Sequence, residues 1–352
     1  MNMSSYKKGD SRGFTLVEVM VALAVGTVLL LGLMILFASN SRNQGELERG
    51  LRQIENARFS LDVLSEDLLH AGYYSDLNPG SFSALTYTTP TVCPSNLAEL
   101  GWNFNASPVV LPVPVQGIDA ATSAPCLLNR LPNTQALAIH RAETGAPITT
   151  AALTAGGAVQ DLYVQISRCG SDPRRAVVSS SVGDFTLRLP DCSAANDALR
   201  RVVHRVYFVA SCNRCGASSD GIPTLKRVEW RDGRLVTTTI SEGVENLQLE
   251  FGFDVNADGQ ADVLDLNTNG VPDRAYVTLG ARAPLAGTLN WQDAVGARVH
   301  MLVRSAERTA GHTDGRTFAL GPDVSVVAPA DGHKRTLVSA TVRLTNVGGR
   351  RE

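Results

Sequence analysis

The chain has 352 residues, of which 44% are hydrophobic and 19% charged, and its formal net charge is −2. A balance so near neutrality excludes the strongly basic face that a nucleic-acid-binding surface requires. The length suits one or two globular domains with a core of their own.

Residues 1–13 form a short polar leader carrying Lys7, Lys8, Asp10 and Arg12. From Phe14 to Ala38 the chain is apolar apart from a single charged residue, Glu18. As a helix this stretch would be roughly 37 Å long at ~1.5 Å per residue, enough for a hydrocarbon core of ~30 Å. A carboxylate in lipid costs a few kcal/mol and needs a partner. The nearest one is the amino group that a cut after Gly13 would create, which makes Phe14 the first residue and Glu18 the fifth. Positive charge before the span places the leader in the cytoplasm and the bulk of the chain outside. An ordinary secretory signal has an apolar region of ~7–15 residues, without an acid, ending at a small-residue cleavage site. The run here is longer, and Ala38-Ser39-Asn40 is a poor site of that kind. A simple signal anchor fits the length but leaves Glu18 unexplained.

From residue 39 to 72 the helix is expected to continue as an amphipathic one. Leu47, Leu51, Ile54, Leu61, Leu64 and Leu68 fall on one helical face, predicted to pack on a folded head. Gly45 and Gly50 would loosen it locally, and Gly72 supplies the stop. Residues 78–134 hold eight of the sixteen prolines and read as loop or edge structure, because proline cannot donate to a sheet ladder. Strands are predicted at 136–140, 162–166, 202–209, 225–230, 235–240, 247–253, 298–303 and 336–344 from alternation and β-branched runs. Asp232-Gly233 between two of them is a hairpin signal. The fold class is therefore α+β: a long N-terminal helix on an antiparallel β-rich head spanning 73–352.

The sharpest chemical pattern in the head lies at 254–273. Asp254, Asn256, Asp258, Asp262 and Asp265 put oxygen side chains at positions 1, 3, 5, 9 and 12 of a loop, with Gly259 at 6 and Gln260 at 7. That is the ligand schedule of a calcium loop closed by Asp in place of Glu. An overlapping second cycle runs through Asp265, Asn267, Asn269, Gly270 and Asp273. The two resemble the chained aspartate loops of thrombospondin type 3 repeats and dockerins. The competing reading is a solvated turn, since Asn, Asp and Gly are also the commonest turn residues. Six cysteines, Cys93, Cys126, Cys169, Cys192, Cys212 and Cys215, all lie in the exported part. An even count in an oxidising compartment suggests disulfides, for which 15 pairings exist, and neighbour pairing along the chain is expected. Cys212-Asn213-Arg214-Cys215 has redox spacing without a thioredoxin-like pattern around it, so it reads as a structural bridge. The six histidines are scattered and read as surface or satisfied core residues. No phosphate loop, nucleophile elbow or zinc-protease motif occurs, and no enzyme is expected.

Gly13-Phe14-Thr15-Leu16-Val17-Glu18, with a basic leader before it and an unbroken apolar run after it, resembles the class III signal of type IV prepilins and pseudopilins. The resemblance implies that a prepilin peptidase cuts after Gly13 and methylates Phe14. It also implies that Glu18 meets the N-terminal amine of an adjacent subunit. Loss of residues 1–13 would remove a net charge of +2 and leave a chain near −4. Ser65-Glu66-Asp67-Leu68-Leu69-His70-Ala71-Gly72-Tyr73 and the stretch Glu242–Gly252 look like the helix end and a head strand of the PilW family of minor pilins. That family's usual Leu-Arg-Asn ending appears here as Leu344-Thr345-Asn346. Membership implies a minor pilin that primes assembly of a type IV pilus or sits at its tip. Its partners would be the major pilin, other minor pilins and a large tip adhesin, and its anchor the inner membrane, with a periplasmic head. A J-type pseudopilin of a type II secretion system is the near variant. A singly anchored, calcium-stabilised binding module is the remaining alternative.

Overall fold

The computed structural model describes residues 13, 15–77, 82, 84–155, 160–265, 269–279 and 290–349. Two compact units divide the chain, Met1–Leu51 and Arg52–Glu352. A 54-residue helix, α1 (Leu16–Leu69), begins in the first and ends in the second. In the first unit its large apolar side chains, Leu16 to Phe37, are exposed, and this segment is long and apolar enough to cross a membrane.

The second unit holds the strands. In chain order they are β1 (Leu85–Thr88), β2 (Val109–Pro112), β3 (Val115–Ile118), β4 (Ala136–Ala142), β5 (Tyr163–Ile166), β6 (Ala176–Ser179), β7 (Leu199–Ala210) and β8 (Thr224–Arg231). They continue with β9 (Arg234–Glu242), β10 (Val244–Phe253), β11 (Val277–Thr278), β12 (Ala294–Arg304), β13 (Thr317–Ala319), β14 (Ser325–Val327) and β15 (Arg335–Arg343). All eight strands expected from alternation are among them. A seven-stranded sheet runs β3-β4-β7-β5-β6, with β8 paired to β7 and β9 to β8, and a four-stranded sheet runs β11-β10-β12-β15. The proline-rich stretch supplies more than loop: β3 is an edge of the larger sheet, and β1 and β2 form a separate parallel pair.

Asp232 and Gly233 both take positive φ, 52° and 73°, between Arg231 and Arg234. That closes the β8–β9 hairpin as a two-residue turn whose twist matches the strands. One residue then passes the chain from the larger sheet to the smaller. Gly243 has φ +86°, and a Cβ there would lie 2.5 Å from the carbonyl oxygen of Arg304. Only glycine fits this corner.

The main core combines the end of α1 with both sheets: Leu64, Leu68 and Ala71 are buried with Leu137, Tyr207, Leu225, Leu249, Phe251, Val299 and Met301. Here the helix departs from the expected stripe. Leu64 and Leu68 are buried and Leu61 is partly so, but Leu47, Leu51 and Ile54 are exposed. The inward positions are instead Gln53, Ala57, Ser60, Leu64, Asp67 and Leu68. Polar side chains on this face add hydrogen bonds to backbone carbonyls of the head beside the apolar contacts of Ala57, Leu64 and Leu68. The Gln53 amide donates to the carbonyl of Val303 at 2.8 Å and that of Lys334 at 3.1 Å, and the Asn56 amide to that of Glu242 at 3.3 Å.

Gly72, at φ +72°, ends the helix and donates its N–H to His140 O at 3.0 Å. A short helix, α2 (Thr345–Gly348), lies against that end. The Thr345 hydroxyl donates to Leu69 O at 3.1 Å, and the Asn346 amide to Leu69 O and Ala71 O at 3.3 Å. Carbonyls that every helix C-terminus leaves unpaired thus find donors from the far end of the chain.

Candidate functional site

Glu18 opens α1. Its Oε2 accepts both the N–H and the hydroxyl of Thr15 at 2.9 Å, while its own N–H donates to Thr15 Oγ1 at 3.3 Å. Thr15-Leu16-Val17-Glu18 is thereby a capping box, a hydroxyl and a carboxylate three residues apart that satisfy each other's backbone donors. The Thr-x-x-Glu spacing was legible in the sequence. Gly13 is among the described residues, whereas Phe14 and the leader residues 1–12 are not.

Among the predicted metal-loop residues, the structure brings several together through their own backbone. Asp254, 1% exposed, accepts the N–H groups of Asp258 at 3.1 Å and Gly259 at 3.0 Å. Asp265 does the same for Asn269 at 3.2 Å and Gly270 at 2.6 Å. Asp258 Oδ1 then takes the N–H of Gln260 at 2.8 Å, and Asn269 Oδ1 that of Val271 at 2.9 Å. Gly259 and Gly270 share φ values of 85° and 82°. The same turn is therefore built twice at matching offsets. Asp262 folds back onto the N–H groups of Val255 and Asn256 at 2.6 and 3.2 Å. Asp273 donates its N–H to Leu264 O at 2.8 Å, and Asn267 lies outside the described residues. Among the described residues, no three or more His, Cys, Asp or Glu side chains are disposed to hold a metal ion.

The six cysteines pair in sequence order, Cys93–Cys126, Cys169–Cys192 and Cys212–Cys215.

Two features escaped the sequence reading. The first is a buried charge network beneath the helix end. Asp67 accepts from Arg141 at 2.9 Å, from Arg205 at 2.9 Å and from the Tyr207 hydroxyl. Glu229 takes Arg201 at 2.9 Å, Arg227 at 3.2 Å and Arg205 at 3.3 Å. Burial pushes the Asp67 carboxyl up, but Arg205, Arg141 and the Tyr207 hydroxyl outweigh it and hold it below its ordinary value. Glu229 is likewise pushed up by burial and pulled down further by Arg205, Arg201 and Arg227, to about 2. An acid within an apolar helix stripe is the signal that could have marked Asp67.

The second is a histidine pair. His140 and His204 face each other across β4 and β7, with ring centroids 5.0 Å apart and each residue 1% exposed. Nδ1–H of His140 donates to Val113 O at 2.7 Å, and Nε2–H of His204 to Val92 O at 3.3 Å. The other ring nitrogens, His140 Nε2 and His204 Nδ1, are buried without a hydrogen-bond partner among the described residues. Neither histidine is the fully satisfied core residue expected from the sequence. Elsewhere Ser339 Oγ lies 2.8 Å from His300 Nδ1. His300 Nε2 stands 3.9 Å from a Glu250 oxygen that Arg298 holds at 3.0 Å, too far for a hydrogen-bonded relay.

Two family profiles match the chain: type IV pilus-assembly protein W over residues 206–346, and the prokaryotic N-terminal methylation motif over residues 8–34. No curated protein matches it. Among solved structures it is similar to a type IV-like pilin from Thermus thermophilus, at 10% identity and a TM-score of 0.34, over 84% of this chain and 97% of that one.

Proposed function

Because this chain is a type IV minor pilin of the PilW family, we propose that it primes pilus assembly or occupies the pilus tip after cleavage between Gly13 and Phe14. The Phe14–Ala38 segment anchors it in the inner membrane, with the head, residues 73–352, in the periplasm, until subunits pack their apolar helices into a filament. Its partners in that state are prepilin peptidase, the major pilin, other minor pilins and a tip adhesin. Glu18 supplies register to helices that are otherwise apolar and interchangeable, by pairing with the N-terminal amine of a neighbour. The single observation that carries this reading is the methylation motif over 8–34, whose apolar run opens an exposed helix with one acid.

Two measurements test it. Mass spectrometry of the assembled protein should find N-methyl-Phe14, and a chain that keeps its first 13 residues would reject filament membership. The capping box separates two roles of Glu18, because Gln serves at that position of the box as well as Glu. Glu18→Gln retains the cap and loses the charge. Membrane insertion with defective piliation in Glu18→Gln is the expected result, and normal piliation would reject the amine pairing.

We further propose that Ca²⁺ occupies the loop Asp254–Asp265. What supports this is the repeat of one turn, Asp254 to Gly259 and Asp265 to Gly270, with matching hydrogen bonds. Binding would require oxygens now directed at backbone N–H groups to turn towards the ion. A ligand held only by the folded state raises its stability by mass action. The expected result is a melting transition that rises with millimolar Ca²⁺ and falls with a chelator; an unchanged transition would reject the site.

A further inference from the structure

The bridge that closes the shortest loop differs from the other two in its surroundings. Cys215 lines a cavity of about 520 Å³ together with Leu128, Asn129, Lys226, Thr237 and Thr239. Its partner Cys212 does not line the cavity and is 3% exposed. The Lys226 ammonium stands 3.5 Å from Cys215 Sγ and donates to Asn213 O at 2.9 Å. Lys226 is itself only 9% exposed, so its charge acts through a medium that screens it less than water does. The neighbouring acids are engaged. Asp220 accepts the N–H groups of Asn213, Arg214 and Ile222, and Glu242 accepts the Asn213 side-chain amide. Arg214, between the two cysteines, is exposed. An open cavity therefore presents one sulfur beside one cation.

We propose that Cys215 is a thiol-exchange site for a small, negatively charged thiol. The thiolate of the incoming molecule attacks Cys215 Sγ. A new sulfur–sulfur bond forms there, the Cys212–Cys215 bond breaks, and its electron pair leaves on Cys212 Sγ, which takes a proton from water. The incoming sulfur ends oxidised as a mixed disulfide on Cys215, Cys212 ends reduced, and no other oxidant or reductant is consumed. Negative charge is spread over three sulfurs in the transition state, and Lys226 stabilises it there. The same cation attracts a thiol that carries carboxylates. Reversal is built in, because the two cysteines are three residues apart and closing so short a loop costs little entropy. The other bridges span 33 and 23 residues.

The test uses the full-length protein in detergent, with glutathione, neutral 2-mercaptoethanol and cationic cysteamine at matched thiolate concentration. Free thiols are alkylated after a short exposure and the modified cysteines are located by peptide mass mapping. Glutathione should appear on Cys215 with Cys212 free, before either other bridge opens. It should react roughly tenfold faster than cysteamine, a preference that Lys226→Met removes. If that variant does not fold, the same preference in the unaltered protein should weaken at 1 M salt, where the screening length falls to ~3 Å. Mixed disulfide on Cys212, prior opening of Cys93–Cys126 or Cys169–Cys192, or a charge order that neither variant nor salt alters would overturn the proposal.

Discussion

Acid should destabilise the head through His140 and His204 before most of its carboxylates respond. Burial holds the His204 ring down, to about 4, and outweighs the upward pull of the Val92 carbonyl. His140 is held well below its ordinary range by burial and then by His204. In the unfolded chain both rings titrate near 6.5. Between pH 6.5 and about 4 the unfolded state therefore binds more protons than the folded one, and stability falls as pH falls. The gap for His204 alone, from 6.5 to about 4, is worth about 3.4 kcal/mol at 1.36 kcal/mol per tenfold. Against a total of 5–15 kcal/mol typical of folded domains, that is a large share. Carboxylates such as Glu229, Asp172 and Asp67, whose folded values are lowered, contribute stability above their unfolded values. They lose it only as pH falls below about 4.5. The window from 6.5 to 4.5 thus belongs to the histidine pair. Urea titrations of the full-length protein in detergent across that window should lose at least about 2 kcal/mol, the share of His204 alone. A His140→Gln/His204→Gln variant should show a nearly flat profile. An equal slope in both proteins would refute the reasoning.

The other perturbations act on separate parts of the head. Asp67→Asn leaves Arg141 with only a 3.7 Å contact to Glu143 and Arg205 with Glu229 alone, and should cost about 3–5 kcal/mol in denaturant titrations. Tyr207→Phe removes one hydrogen bond to that charged acid and should cost about 1.5–3 kcal/mol. Gly243→Ala must place a Cβ 2.5 Å from a carbonyl at φ +86°, so a loss of at least about 1–3 kcal/mol is expected in thermal melts. Gly145→Ala, with nothing within 4 Å and no positive φ, serves as the near-neutral control. Replacing Cys93 and Cys126 by Ser frees a loop of sequence separation 33, and replacing Cys212 and Cys215 frees one of 3. On chain entropy the losses should be about 3.8 and about 1.9 kcal/mol, read from the same denaturant curves.

What the sequence determined by itself is local. Thr15 and Glu18, three residues apart, mark where a helix starts, and the apolar run after them is long enough as a helix to cross a membrane, because capping and a 1.5 Å rise act on neighbours in the chain. Alternation fixed the strands, and Asp232-Gly233 the turn between two of them, because positive φ is a property of those two residues alone. The repeated Asp/Asn–Gly schedule likewise becomes two matching turns, since each aspartate bonds N–H groups four and five residues ahead.

Only the tertiary structure decided which side of α1 faces inward. The apolar stripe includes Leu51 and Ile54, which are exposed, while Gln53, Ala57 and Ser60 are buried; periodicity favours the wrong side there, and partners in the head reverse it. Asp67 finds its partners 74 to 140 residues away, and His140 meets His204 through the β4–β7 register. The Cys215 cavity is assembled from segments around residues 128, 215, 226 and 237. Burial at such places depends on which strands pair and how the sheets pack, and no short-range pattern encodes that, because each of these side chains would be ordinary in solvent and takes its chemistry from neighbours brought by the fold.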